Sequence, residues 1–420
     1  MKFSMRQLMA CMGVISCLSL STSNLEAILA SVKTTGMAAT GIAYPQDAEA
    51  GAFNPAGMVD VGNRYDVGFS VLRASRKSTL SGNRSGRPGV NGKFDATHKA
   101  KFAYNGDFGI NKMIGCNMSV GFVVYNRNYN KVKYKKNALP LFGRGHAGME
   151  YVHETASAIV AFKFLEKHNF GISLNYNIQR LWVQGLQNFD NAIFSKYPGH
   201  VTNRRYAYAG GVGFTLGYRC QVSDTFSVGV TYQPKTYMSR FHKYKGFLSG
   251  RGRLNIPQKI GAGMAWRFLP CATLAFDVEY INWVRVKALH RPLQENLVAN
   301  KLGSSKGTGF GFRDQWFYRV GIDYDVTNWL TVRAGYRHAN TPIRRSQTAV
   351  NVLTVDTVQD FLTLGATACL NPCNEVSFFY AHGFNHKVKG KNSVPINLGG
   401  GEADLKGYDD VFGISWGHIF

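Results

Sequence analysis

The chain has 420 residues, with 49 Lys and Arg against 25 Asp and Glu for a formal charge of +24, and is 45% hydrophobic but only 18% charged. With 28 Phe, 21 Tyr and 6 Trp it holds far more buriable surface than a disordered chain, and its 46 Gly lack the three-residue period of collagen. The length suits two or three soluble domains or one large β-barrel, and periodicity decides between them.

In chain order, residues 1–27 read as an export signal. Lys2 and Arg6 make a basic start, Leu8 to Leu20 is mostly apolar, and small residues offer cleavage after Ala27 or Ala30. That apolar run falls short of the roughly twenty residues a spanning helix needs. Val14-Ile15-Ser16-Cys17 fits a lipoprotein signal only loosely. Residues 28–63 do not alternate and are rich in small side chains, from Gly36-Met37-Ala38-Ala39 through Asn54-Pro55-Ala56-Gly57-Met58. Such a coil is too small to fold alone and needs a cavity to pack in.

From residue 64 onward apolar side chains recur at every second position. Phe170, Ile172, Leu174, Tyr176 and Ile178 share one face of a strand whose other face is Gly171, Ser173, Asn175 and Asn177. Trp316, Tyr318, Val320, Ile322 and Tyr324 likewise stand opposite Phe317, Arg319, Gly321 and Asp323. A soluble sandwich also alternates. These runs, however, reach about ten residues, end in aromatics on the apolar face, and place small polar residues where a sandwich needs a core. The pattern predicts an all-β, transmembrane antiparallel β-barrel over 64–420. Its strands lie near 64–74, 97–107, 116–126, 149–165, 168–185, 204–220, 223–240, 257–269, 271–288, 314–325, 328–340, 357–369, 373–388 and 405–420. About fourteen is an even number, as in bacterial outer-membrane barrels. Links such as 221–222 and 326–327 are tight, whereas 75–96, 127–148, 186–203, 241–256, 289–313, 341–356 and 389–404 are long, so the tight turns mark the periplasmic end. The chain stops on a strand with Phe412, Ile414, Trp416, His418 and Phe420 on one face, a terminus suited to closing against the first strand.

Three stretches resemble the FadL/TodX family of outer-membrane transporters for long-chain fatty acids and other hydrophobic compounds. They are Ala43 to Met58 with its Asn54-Pro55-Ala56, Ile256-Pro257 followed by Asp277-Val278-Glu279-Tyr280-Ile281-Asn282-Trp283, and Trp329-Leu330-Thr331-Val332-Arg333-Ala334-Gly335-Tyr336 before Thr341-Pro342. The resemblance covers nearly the whole chain. It implies a barrel of the same strand number, plugged by an N-terminal hatch over 28–63 with Asn54, Pro55 and Ala56 as its signature. It also implies passive, ATP-independent uptake, in which extracellular loops capture a ligand, a site inside the barrel receives it, and a kinked third strand releases it sideways. Gly121, Asn128 and Asn130 are the residues that permit a kink there. Sideways release suits an apolar ligand, which then never desorbs into water.

In the third long loop Phe189, Ile193, Phe194 and Tyr197 are spaced as the apolar stripe of a short helix. The next loop holds Phe241, Tyr244, Phe247 and Leu248 among Arg240, Lys243 and Lys245. An apolar groove edged by cations suits an amphipathic carboxylate, whose tail gains about 0.8 kcal/mol per buried methylene. The same aromatics would equally pack the loops together. Asp277, Glu279, Arg319, Asp323, Arg333 and Arg337 share the lumen face of neighbouring strands, and a structural ion-pair network is expected of them rather than a binding site. Basic residues of the expected outer loops, Arg76, Lys77, Lys131 and Lys133 among them, would meet lipopolysaccharide phosphates rather than nucleic acid.

Beyond the signal remain Cys116, Cys220, Cys271, Cys369 and Cys373, all beside expected periplasmic turns. The oxidising compartment and the hairpin Cys369-Leu370-Asn371-Pro372-Cys373 point to a Cys369–Cys373 disulfide, with an odd thiol left for another envelope protein. No paired spacing supports a metal site. Gly-x-Ser-x-Gly, His-Glu-x-x-His and phosphate-loop motifs are missing, so neither an enzyme nor a cofactor is expected. The reading is a monomeric outer-membrane channel for a hydrophobic small molecule, folded by the barrel-assembly machinery in outer-membrane lipid. Its rivals are a general aqueous porin, against which a filled bore argues, and a disulfide-cross-linked structural or adhesive envelope protein.

Overall fold

The computed structural model of the chain describes residues 30–98, 101–293 and 296–420, so the expected signal segment lies outside the described residues. Alternation becomes antiparallel pairing along the chain. The strands are β1 (Arg64–Ser81), β2 (Gly92–Asp95), β3 (Phe102–Ile114), β4 (Met118–Lys136), β5 (His146–Phe164), β6 (His168–Gln184), β7 (Ala207–Ser223), β8 (Phe226–Gln233), β9 (Gln258–Leu269), β10 (Ala272–Asn282), β11 (Gln315–Thr327), β12 (Leu330–Ala339), β13 (Asp360–Asn371), β14 (Asn374–Val388) and β15 (Glu402–Ile419). β2 is a short arm on the outer end of β1; the other strands each pair with the next in sequence. β15 returns to β1 along its whole length, from Arg64↔Ile419 to Ser81↔Glu402. Fourteen strands therefore close into a barrel, which removes the open edges that hydrocarbon does not tolerate. Among the described residues no helix is long and apolar enough to cross a membrane.

Burial is inverted relative to a soluble protein. On β6, Phe170, Ile172, Leu174, Tyr176 and Ile178 are 39–59% exposed, while Ser173, Asn175 and Asn177 are at most 2% exposed. The polar inner face satisfies itself: Ser157 Oγ donates to Asn175 Oδ1 at 2.7 Å, Asn175 Nδ2 to Thr215 Oγ1 at 2.8 Å, and Thr155 Oγ1 to Asn177 Oδ1 at 2.9 Å. Aromatics cluster at both rims of the outer face. Tyr65 meets Trp416 at 5.4 Å at the tight-turn end, and Tyr280 meets Trp316 at 4.8 Å at the other.

Several boundaries differ from expectation, each for a local reason. β1 runs on to Ser81 because Arg76, expected in an outer loop, points into the bore and pairs with Asp409 at 2.7 Å. Lys131 and Lys133 likewise lie on β4, not in a loop. β8 stops at Gln233, since Pro234 has no N–H to donate. β10 stops at Asn282, whose side chain accepts from Arg285 N at 3.3 Å and starts a short 3₁₀ turn.

Residues 30–63 pack against inner faces on opposite sides of the barrel. They contain one short helix, Val32–Gly36, capped by Ser31, and 3₁₀ turns at Ala50–Ala52 and Pro55–Asp60. Asn54 caps the second turn through Ala56 N (3.1 Å), with Pro55 at the first turn position where its missing N–H costs nothing. Asn54 Nδ2 donates to Ile42 O at 2.8 Å and to Tyr218 O of β7 at 3.0 Å, tying the segment to itself and to the wall. The wall makes room with glycine: a Cβ on Gly217 would overlap Asn54 Oδ1, and one on Gly171 would overlap the Pro55 backbone. Across the bore, Gly321 and Gly335 admit the backbone of Met37 in the same way.

Candidate functional site

On the loop side of this segment the barrel holds a cavity, about 1010 Å³ of space with its opening to solvent included. Met149, Leu181, Leu254, Ile256, Trp283, Phe310, Phe312 and Phe317 make most of its lining apolar. Asn128, Asn130, Tyr151, His153 and Arg337 contribute polar groups. Tyr151 and His153 stand on the inner face of β5, two positions apart, as the alternation dictates. His153 Nε2 is held by Asn177 Oδ1 at 3.0 Å, and Asn130 Nδ2 donates to Thr354 O at 2.7 Å.

Arg337 is the unusual member. It is 2% exposed, its Nε and Nη1 have no hydrogen-bond partner, and its guanidinium lies 4.1 Å from the Phe361 ring and 5.5 Å from that of Phe317. An arginine remains charged, and ring faces offer it attraction but no acceptor. Asp356 lines the same cavity.

The other lumen charges do not form the single network expected. Glu279 accepts from Arg319 at 3.1 Å and pairs with Lys259 at 3.1 Å, a compact triad. Asp277 turns instead to the N-terminal segment and accepts from Gly41 N (2.9 Å) and Ile42 N (3.1 Å). Asp323 accepts from Tyr44 Oη at 2.7 Å, and Arg333 donates to Gln46 Oε1 at 3.0 Å and to Thr367 Oγ1 at 2.6 Å. Three of the six thus fasten residues 41–46, two make an ion pair, and Arg337 is left facing the cavity.

A second space of about 610 Å³ lies among the loops, lined by Leu141, Phe142, Leu186, Phe189, Phe247, Leu248, Leu297, Leu302, Val350 and Leu353. Leu248 lines both spaces, so the loop groove adjoins the inner cavity. Of the eight expected groove residues the structure brings Phe189, Phe247 and Leu248 together here. Phe194 packs edge-on against Phe189 at 5.7 Å. Tyr197 lies beneath Lys245 at 5.2 Å, and Ile193 points outward, 57% exposed. Phe241 and Tyr244 are fully buried and hold the loops together, Tyr244 Oη donating to Arg205 O at 2.6 Å and accepting from Val183 N at 3.1 Å. The expected helix over 189–197 does not form. Asn191 Oδ1 accepts from Ile193 N and Phe194 N, Asp190 Oδ1 accepts from Gly199 N, and Pro198 follows the run, so beyond the one turn closed by Ser195 N on Asn191 O at 2.9 Å side chains take the place of a helical ladder.

The wall itself is incomplete beside the cavity. Among the described residues β3 and β4 share ladder pairs only from Phe108↔Val124 to Ile114↔Met118. Beyond that point β3 continues to pair with β1 back to Phe102, while β4 continues with β5 and slips register between Asn126 and Asn128. The slip places Asn128 and Asn130 on the cavity side, and further along β4 residues 96–97 take up the pairing, Thr97 N donating to Lys133 O at 2.7 Å.

Cys369 and Cys373 carry free, exposed thiols, so the expected disulfide between them is not formed. Cys369 stands opposite Glu375 in the ladder, and Cys373 N is fastened to Asn371 Oδ1 at 3.0 Å. Sequence reasoning missed the cavity aromatics Trp283, Phe310, Phe312 and Phe317. Only Phe317 left a signal, as an aromatic on an otherwise polar inner face.

A model of the outer membrane protein transport protein family (OMPP1/FadL/TodX) matches residues 19–415. No curated protein matches the chain. Among solved structures, a Pseudomonas aeruginosa FadL homologue is similar at TM-score 0.68 and 17% identity, covering 93% of this chain and 98% of its own. The P. putida toluene transporter TodX gives 0.66 and 15%, covering 92% and 97%, and the Ralstonia pickettii toluene transporter TbuX gives 0.64 and 14%, covering 94% and 99%. The match over nearly the whole chain agrees with the closed barrel and its largely apolar cavity: the chain belongs to the OMPP1/FadL/TodX family of outer-membrane transporters of hydrophobic compounds, channels and not enzymes.

Proposed function

We propose that this protein takes up a carboxylated amphiphile of the long-chain fatty acid class, passively and without ATP. The observation that carries the proposal is Arg337, a buried guanidinium with unused donors beside an apolar cavity. A bound carboxylate would supply the acceptor that the Phe361 and Phe317 rings cannot, and two parallel N–H···O bonds are the geometry that guanidinium favours. The tail would lie along Trp283, Phe310 and Phe312 towards Leu248, which it shares with the loop groove of first capture. Exit would pass Asn128 and Asn130 through the β3–β4 breach, with residues 30–63 acting as the hatch that keeps water from following.

The second reading is a neutral aromatic compound, favoured by the aromatic lining of the cavity. Equilibrium binding of palmitate and of toluene to the purified barrel separates the two. Arg337→Met is expected to weaken palmitate by about 10- to 100-fold, the worth of a charge-assisted hydrogen bond of about 1.5–3 kcal/mol, and to leave toluene unchanged. Palmitate affinity indifferent to Arg337, together with tighter toluene binding, would overturn the carboxylate reading.

A further inference from the structure

Every cysteine among the described residues lies at the tight-turn end of the barrel. Cys116 is in the β3–β4 turn, Cys220 is near the end of β7, Cys271 is in the β9–β10 turn, and Cys369 and Cys373 flank the β13–β14 hairpin. All five are free; Cys116, Cys369 and Cys373 are exposed, and Cys220 and Cys271 partly so. Cys220 is level with the β5–β6 turn, because its neighbour Gln221 donates through N to Lys167 O at 2.8 Å. This end carries the short turns and faces the periplasm, a compartment that oxidises thiols.

Spacing forbids most bonds within one barrel. Three strand steps separate the β3–β4 turn from β7, two separate β7 from β9, three separate β10 from β13, and three lead from β14 through β15 and β1 back to β3. At about 4.8 Å per step these intervals are roughly 10 Å or more, whereas a disulfide spans Cα atoms no more than about 7 Å apart. Cys116, Cys220 and Cys271 therefore have no partner within reach, and only Cys369 and Cys373 share a hairpin. The rim presents four thiol positions spread around its circumference.

We infer that neighbouring copies of this barrel are joined to one another by disulfides between their periplasmic rims. The bilayer holds every copy at one height and in one orientation, so the rims are coplanar, and rotation about the membrane normal brings a thiol of one copy against that of the next. A soluble partner would need a docking surface of its own; a second copy needs only lateral contact. With more than two positions per barrel the bonds extend from copy to copy instead of stopping at a dimer. The oxidant is a disulfide-donating oxidoreductase of the periplasm. A thiolate of one barrel attacks the donor disulfide, forming a mixed disulfide and releasing one donor thiolate. A thiolate of the second barrel then attacks the barrel sulfur of that mixed disulfide, forming the inter-barrel bond and expelling the other donor thiolate. Two barrel thiols are oxidised, the donor is reduced to two thiols, and the two protons pass to it.

Outer membranes prepared in N-ethylmaleimide and separated without reductant are expected to show bands at multiples of the monomer mass that collapse with dithiothreitol. Serine at Cys116, Cys220, Cys271, Cys369 and Cys373 together should leave the monomer alone. Restoring Cys271 should allow dimers and nothing larger, and restoring Cys116, Cys220 and Cys271 should bring back higher multiples. Heat-dependent gel migration reports that each variant has folded. Where a variant is lost, adduct counting on the separate wild-type bands decides: reducible multimers carry fewer than five N-ethylmaleimide groups per chain, whereas a monomer alone carrying three, as a Cys369–Cys373 bond within one hairpin would leave, overturns the inference. A wild-type monomer band with all five thiols alkylated overturns the inference, as do reducible bands at masses that are not multiples of the chain.

Discussion

Asp277 shows what a single side chain contributes to a segment with little secondary structure of its own. The amides of Gly41 and Ile42 have no strand or helix to accept from them and depend on one carboxylate oxygen of β10. Asp277→Ala leaves two buried donors unsatisfied, at a cost of about 1–3 kcal/mol each. Faster cleavage within residues 30–63 by a protease added from the periplasmic side, with the barrel itself still heat-modifiable, is the expected result. Gly217→Val acts on the same segment by bulk, since its Cβ falls on Asn54 Oδ1. It is expected to displace the Asn54 turn and to raise single-channel conductance. An unchanged conductance would show that the wall yields and not the segment. That these charges and glycines lie on the inner face was legible from alternation. Which of them fasten the segment and which face the cavity was not, because Asp277 and Arg337 look alike in a pattern of period two.

At the scale of elements, the informative departures are the places where a strand stops pairing. β4 is long and continuous in sequence, yet its register slips at Asn126 and its contact with β3 ends at Val124. If the ligand leaves through that breach, closing it should stop transport without touching binding. Continuing the β3–β4 register places Gly106 opposite Asn126. Gly106→Cys with Asn126→Cys, in a background with the native cysteines changed to serine, should after oxidation lower fatty acid uptake by at least about tenfold, and reductant should restore it. Palmitate affinity of the purified barrel should not change. Uptake indifferent to the cross-link would direct attention to a periplasmic exit. The loop after β6 teaches the complementary lesson. Phe189, Ile193, Phe194 and Tyr197 have helical spacing, but Asp190, Asn191 and Pro198 satisfy or deny the backbone locally, and the helix loses.

For the whole molecule, the question is whether residues 30–63 make a plug or merely line a pore. They contact β6 and β7 on one side and β11 and β12 on the other. Liposomes containing the wild-type protein are expected not to swell in isotonic sugars, and liposomes containing a chain without residues 30–63 are expected to swell. Wild-type swelling would favour the aqueous porin over the transporter. Loss of the N-terminal segment should also lower stability, because Lys33, Arg64, Asp66 and Glu375 form one buried ion cluster between segment and wall. Removing Lys33 strips Glu375 of one of its two cations, and an incompletely compensated buried charge is costly.

By itself the sequence determined the period of two, the inverted placement of polar and apolar side chains, the near-fourteen count and the closure through the terminal strand. Each of these is written locally, since a β-strand turns its side chains alternately and a membrane rewards one face for being apolar. The tertiary structure alone decided that Arg337 keeps Nε and Nη1 without hydrogen-bond acceptors, that Phe189, Phe247 and Leu248 converge while Phe241 and Tyr244 do not, and that β3 and β4 part company beside the cavity. Those outcomes depend on which residues meet across the bore, often more than a hundred positions apart, and a pattern with a reach of a few residues carries no information about distances of that kind.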